Sequence, residues 1–147
     1  MSSTPTTKQV QSPLNLKLTI TKGKNEAILK YLGDPENSKA IEAGLKKVGT
    51  VHFARFLPEP GFLLGLSQTL WVITEFDGTF DDYITDFVNA MGPVFDALLS
   101  FVDAPPPLPV EDPKNSAAFG KWVKANDHAS NLYSAYPNLT VQMILNS

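Results

Sequence analysis

From Leu14 to Ile20 the apolar residues Leu14, Leu16, Leu18 and Ile20 alternate with Asn15, Lys17 and Thr19. Strict alternation is the pattern of a half-buried strand. Lys24 to Leu32 then reads as a helix that Gly33-Asp34-Pro35 interrupts, and Asn37 or Ser38 can cap a second run in which Ile41, Leu45 and Val48 share a face. Glu42 and Lys46 are spaced as an i,i+4 pair on its exposed side, and Gly49 is placed to end it in the left-handed conformation. Thr50 to Leu57, rich in β-branched and aromatic residues, predicts a second strand, and Gln68 to Phe76 a third. Between them lie the Pro/Gly loop Pro58 to Gly61 and the apolar, aperiodic run Phe62 to Leu66, a loop or a ragged strand. Asp77-Gly78 reads as a turn.

Thr79 opens the most legible element. With Asp82 three residues on it resembles a capping box, and Asp81 and Asp82 lie where the helix dipole favours negative charge. Phe80, Ile84, Phe87, Met91, Val94 or Phe95, Leu98 and Val102 follow at helical spacing as one stripe. Gly92-Pro93 falls inside it, and the missing amide hydrogen of Pro93 predicts a kink or a break. Ala104 to Val110 (APPPLPV) predicts an extended strap. Asn115 or Ser116 caps a helix through Asn126 that carries Phe119, Trp122 and Val123. Ser130 to Tyr136 is the last strand candidate, and Thr140 to Leu145 a final helical turn.

This order is βαββαβ, the ferredoxin-like α+β plan, with both long helices on one face of a four-stranded antiparallel sheet. Residues 1–13 are expected as a disordered tail and 14–147 as a single domain. The plan leaves one apolar sheet face uncovered, and a two-fold copy of the same sheet is its simplest partner. A homodimer is therefore expected.

Composition narrows the chemistry. In 147 residues there is no cysteine, which removes disulfides, thiolate metal sites and cysteine nucleophiles, and there are only two histidines, His52 and His128. Residues 1–55 hold nine bases against four acids (net +5), residues 56–113 ten acids and no base, and residues 114–147 three lysines and one acid (net +2). A middle third without Lys or Arg cannot clamp phosphates, so no nucleic-acid partner is expected. No apolar run approaches the roughly 20 residues of a membrane span, and MSSTPTTKQVQSP lacks the basic and apolar regions of a secretory signal. The expectation is a cytoplasmic protein without a membrane partner.

On a regular second strand Val51, Phe53, Arg55 and Leu57 point one way and His52, Ala54 and Phe56 the other. On the third, Trp71, Ile73 and Glu75 oppose Leu70, Val72, Thr74 and Phe76. Arg55 and Glu75 are thus single charges on mainly apolar faces. Arg55 can hold an anionic group while Glu75 acts as base, or the two form a structural ion pair. His52 is a candidate general base or a hydrogen-bonded packing residue, and His128 a loop residue. Trp71, Trp122, Tyr83 and Tyr133 can line an aromatic ligand site or pack the core. A metal site of both histidines and a carboxylate has no supporting spacing, so no metal is expected. No G-x-S-x-G, P-loop, Rossmann or H-E-x-x-H motif is present.

VHFARFL (Val51 to Leu57), VITEFDGTFDDYITDF (Val72 to Phe87), GPVFDALL (Gly92 to Leu99) and YSAYPNLTVQMI (Tyr133 to Ile144) resemble small bacterial domains of the dimeric α+β barrel superfamily. The resemblance implies a ligand pocket between sheet and helices or inside a barrel. It also implies functions ranging from cofactor-free monooxygenases and stress-responsive proteins to haem enzymes. The haem signature GxxDG of the dye-decolorising peroxidases would need Gly at position 74 before Asp77-Gly78. This chain has Thr74, which argues against a haem peroxidase; no cofactor is expected, with haem, ligated by His52, as the alternative. The functional expectation is a small apolar or aromatic ligand and a cofactor-independent oxygenase or isomerase, with His52 or Glu75 moving a proton and Arg55, Trp71 and Tyr133 binding. The alternative is a dimerisation or stress-response module with no ligand.

Overall fold

The computed structural model describes residues 9–147. It is an α+β arrangement in the order β1 (Gln11–Thr19), α1 (Asn25–Gly33), α2 (Pro35–Val48), β2 (Val51–Pro58), β3 (Thr69–Asp77), α3 (Phe80–Leu99), α4 (Ser116–Ala125) and α5 (Val141–Leu145). The three strands form one antiparallel sheet in the order β1-β3-β2. The first eight positions of the expected tail lie outside the described residues. Its last three do not behave as a tail, because Gln11, Ser12 and Pro13 continue the ladder opposite Asp77, Phe76 and Glu75. Gln11 is buried, and its side-chain amide donates to the carbonyls of Tyr136 and Leu139, both at 3.0 Å.

Local signals account for the helices. Asp34, rather than Asn37 or Ser38, caps α2: its carboxylate accepts from Glu36 N–H at 2.8 Å, with Pro35 at the first position, where a missing amide hydrogen costs nothing. Gly49 closes α2 at φ 77°. Thr79 accepts from Asp82 N–H at 3.1 Å and caps α3. The helix runs through Pro93 without the expected break. Met91, Phe95, Leu98 and Leu99 are all buried around it. Burying each is worth roughly 1.5–3 kcal/mol, together more than the ~3 kcal/mol that an interior proline costs.

The helices cover one face of the sheet. Leu14, Leu16 and Leu18 of β1 and Leu70, Val72 and Phe76 of β3 meet Ile84, Phe95 and Leu98 of α3 and Phe119 and Val123 of α4. Tyr83 stacks on Phe76 with centroids 4.2 Å apart, and its hydroxyl lies 3.3 Å from Thr74 Oγ1. The 104–110 segment is not the extended strap expected, because the chain bends at 103–104 and 107–108 and Ala104 adopts φ 52°; it is anchored at Val110, which is buried and whose N–H donates to Asp96 Oδ1 at 2.9 Å. Asp96 is therefore a tether for this segment.

The fourth strand expected over Ser130–Tyr136 is not formed. The chain does return along β1 in the antiparallel sense, from the Leu16–Asp127 bridge to the bond from Val10 N–H to Pro137 O. Ten residue steps on this side, from Asp127 to Pro137, face only six from Leu16 to Val10, so the excess cannot remain in a ladder. It arches instead over the sheet face opposite the helices, where Ser130, Asn131 and Leu132 approach Asn15, Ile73 and Arg55. His128 meets Trp71 edge-on at 5.7 Å. The face expected to be bare is thus partly covered by the chain itself. Among the described residues no helix is long and apolar enough to cross a membrane.

Phe119→Ala should lower the unfolding free energy by about 3–5 kcal/mol in urea titrations, because a fully buried ring leaves a cavity beside Phe95. Burial raises the pKa of Tyr83 above the ordinary 10.0, with the Thr74 hydrogen bond partly opposing it. The unfolded chain therefore loses this proton first, so its contribution is intact below about pH 10 and declines as pH rises beyond it. Tyr83→Phe should flatten the fall in urea midpoint between about pH 9 and pH 11; an unchanged slope would contradict this assignment.

Candidate functional site

Val51 pairs with Phe76 and Phe53 with Glu75, so His52 is the extra residue of a β-bulge. Such a bulge re-aims the side chain it carries and shifts the facing of what precedes it. Val51, expected on the side of Phe53, Arg55 and Leu57, lies instead with Phe76 against the core. His52 turns to the end of β3, where its Nε2 lies 2.7 Å from Asp77 Oδ1 with both side chains only 7% exposed. The other carboxylate oxygen of Asp77 accepts from Val141 N–H at 2.7 Å. Toward a carboxylate, which when ionised is acceptor-only, His52 Nε2 is the donor.

His52 lines an open groove of about 760 Å³ along the outer edge of β2, with Asp77 behind it. Leu45 of α2, Val51 and Ala54 of β2, and Val141, Ile144 and Leu145 of α5 supply apolar walls. Lys46 and Glu42, paired at 3.3 Å, stand exposed beside it. Thr140 caps α5 by accepting from Met143 N–H at 3.1 Å, and Gln142 Nε2 donates to Gly49 O at 2.9 Å. Asp77, Thr140 and Gln142 therefore hold the C-terminal wall.

The remaining candidates lie elsewhere. Arg55 and Glu75 share a recess of about 210 Å³ on the opposite face, with Phe53, Ile73 and the 130–132 arch. Among the described residues no ion pair joins them. Trp71 donates from Nε1 to Glu59 Oε1 at 3.0 Å and meets His128, while Tyr133 is 87% exposed. His52 meets the end of β3 at Asp77, whereas His128 bonds to Asn15 opposite Ile73 and meets Trp71, four to six residues or about 13–20 Å away along the strand. Among the described residues no group of three metal-ligating side chains comes together. Thr74, at the position where the haem signature needs glycine, is buried beside Tyr83.

A ligand between sheet and helices finds little room, because the two spaces there measure about 30 Å³ each. That is space for a water and not for an aromatic ring. Asp77, which sequence reasoning treats as a turn residue, is the site residue it misses. The signal for it lies in the bulge, and a bulge is not visible before the register is known.

Asp77→Ala removes the acceptor of two bonds and should cost about 2–3 kcal/mol. Hydrogen exchange at the Val141 amide should accelerate with it, whereas unchanged protection would show that α5 is held without Asp77. Comparison with protein-family models, with curated proteins and with solved structures finds no match to this chain.

Proposed function

We propose that the chain binds a small apolar or aromatic molecule in the groove beside β2 and moves a proton on it through His52. The observation that carries this reading is that His52, which lines an apolar groove, is held at 2.7 Å by the buried Asp77 carboxylate. A carboxylate that fixes the tautomer and stabilises the imidazolium is the general arrangement of a histidine base. His52 takes a proton from an enolisable C–H or a phenolic O–H, and the anion formed lies within a groove bordered by Lys46. Return of the proton at another carbon completes an isomerisation with no oxidant. With dioxygen as co-substrate the same carbanion is the starting point of an oxygenation.

The dimeric α+β barrel reading belongs to this proposal. It is supported by the β1-β3-β2 order, by helices on one face and by the Asn126–Pro137 return alongside β1. A second reading, a dimerising module without a ligand, is favoured by Phe53 and Tyr133, exposed at 71% and 87% near the arch. Native mass spectrometry separates the two readings: a co-purified small molecule favours the first, a bare dimer the second.

The direct test is solvent deuterium exchange into a panel of enolisable ketones and phenols, followed by proton NMR. Wild-type protein should accelerate exchange into at least one, His52→Asn should abolish it, and Asp77→Asn should slow it by roughly 10²-fold or more, within the range of general-base contributions. Absence of exchange across the panel, together with no amide shifts at the groove, would remove the catalytic reading.

A further inference from the structure

The loop between β2 and β3 carries an apolar feature that the groove does not use. Leu63, Leu64 and Leu66 are 83%, 80% and 80% exposed, while Phe62 between the same strands is 1% exposed. Three neighbouring leucines in water are costly to present, and here they are presented by an organised loop. Gly61 and Gly65 bracket a single 3₁₀ turn (Phe62–Leu64) at φ 87° and 72°, a backbone open to glycine. Phe62 plugs the core, and Asn25 Nδ2 donates to the carbonyls of Phe62 and Ser67 at 3.0 and 2.9 Å. The amides of Phe62, Leu64, Gly65 and Leu66 all bond within the loop, to Glu59, Gly61, Phe62 and Gly61.

We propose that this loop is a bilayer-docking tip that seats Leu63, Leu64 and Leu66 at the boundary of phospholipid headgroups and acyl chains. Two features favour a lipid surface over a protein pocket. The loop satisfies much of its backbone internally, so seating its tip at the bilayer boundary strips few backbone amides of their hydrogen-bond partners. Its one charged residue, Glu59, has its carboxylate engaged by Ser67 Oγ at 3.2 Å and Trp71 Nε1 at 3.0 Å, so no free charge accompanies the leucines. Lys22 and Lys24, exposed on the turn that Asn25 joins to the loop, are placed for phosphate groups. Glu26 and Asp103 stand near the same turn, so the leucines carry the binding and the lysines add a smaller anionic preference. The expectation of no membrane partner rested on spanning length, whereas an interfacial tip needs only the depth of its side chains.

The test is flotation of the purified full chain with vesicles of phosphatidylcholine alone and of phosphatidylcholine with phosphatidylserine. Wild-type protein should float with both, and more with the anionic mixture. Leu63→Ser/Leu64→Ser/Leu66→Ser should lose on the order of tenfold in partitioning per leucine, with an unchanged thermal midpoint because the side chains are exposed. Lys22→Glu/Lys24→Glu should lose roughly fivefold or more on the anionic vesicles alone. No flotation of wild-type protein on either vesicle overturns the proposal, as does flotation that survives the triple substitution. A triple variant that only reduces self-association in sedimentation overturns it too and gives the loop to a second copy.

Discussion

The structure depends on β3 as the central strand. Its backbone is paired on both sides, to β1 from Asp77 through Thr69 and to β2 from Phe76 through Leu70. Its alternation divides the molecule: Leu70, Val72, Thr74 and Phe76 face the helices and are buried, while Trp71, Ile73 and Glu75 face the side crossed by the 128–132 arch. Because a strand has period two, a slip of one residue would exchange these sets and expose the core. The hydrophobic pattern therefore fixes the register, and the register fixes which residues of β1 and β2 can meet.

The one place where that register is broken is also where the candidate chemistry sits. The bulge at His52 leaves a residue without a ladder partner just before β2 settles beside β3. The Asp77 carboxylate then joins three segments: the start of β2 through His52, the end of β3 itself, and α5 through Val141. A buried carboxylate needs such partners to remain charged. The same bonds that satisfy it build the wall of the groove and orient the imidazole, so stability and the proposed proton transfer share one set of contacts.

The groove beside β2 and the leucine loop, two apolar surfaces among the described residues, differ in kind. The groove beside β2 is concave, bordered by polar side chains at its edge and by a buried titratable pair, which suits a small molecule. The 58–66 loop is a presented tip whose backbone is bonded inward and whose leucines face outward. They lie toward opposite ends of β2, so a molecule held in the first and a surface met by the second need not compete.

The sequence by itself determined the elements whose causes are local. Alternation from Leu14 to Ile20, the Thr79 cap, the stripe from Phe80 to Leu98 and Gly49 as helix end all depend on neighbours within a few positions, and all are present. The caps at Asp34 and the continuity of α3 through Pro93 were less legible, because each is a competition between a local preference and burial or geometry. Tertiary structure alone decided what the residues from Asn126 to Pro137 do, since their pairing is set by the mismatch in length against β1 and not by their own β-propensity. It also decided the site. Arg55 and Glu75 were readable as sharing a face because strand alternation is local. His52 and Asp77 are 25 residues apart, and only the bulge in the β2–β3 register brings them within hydrogen-bonding distance.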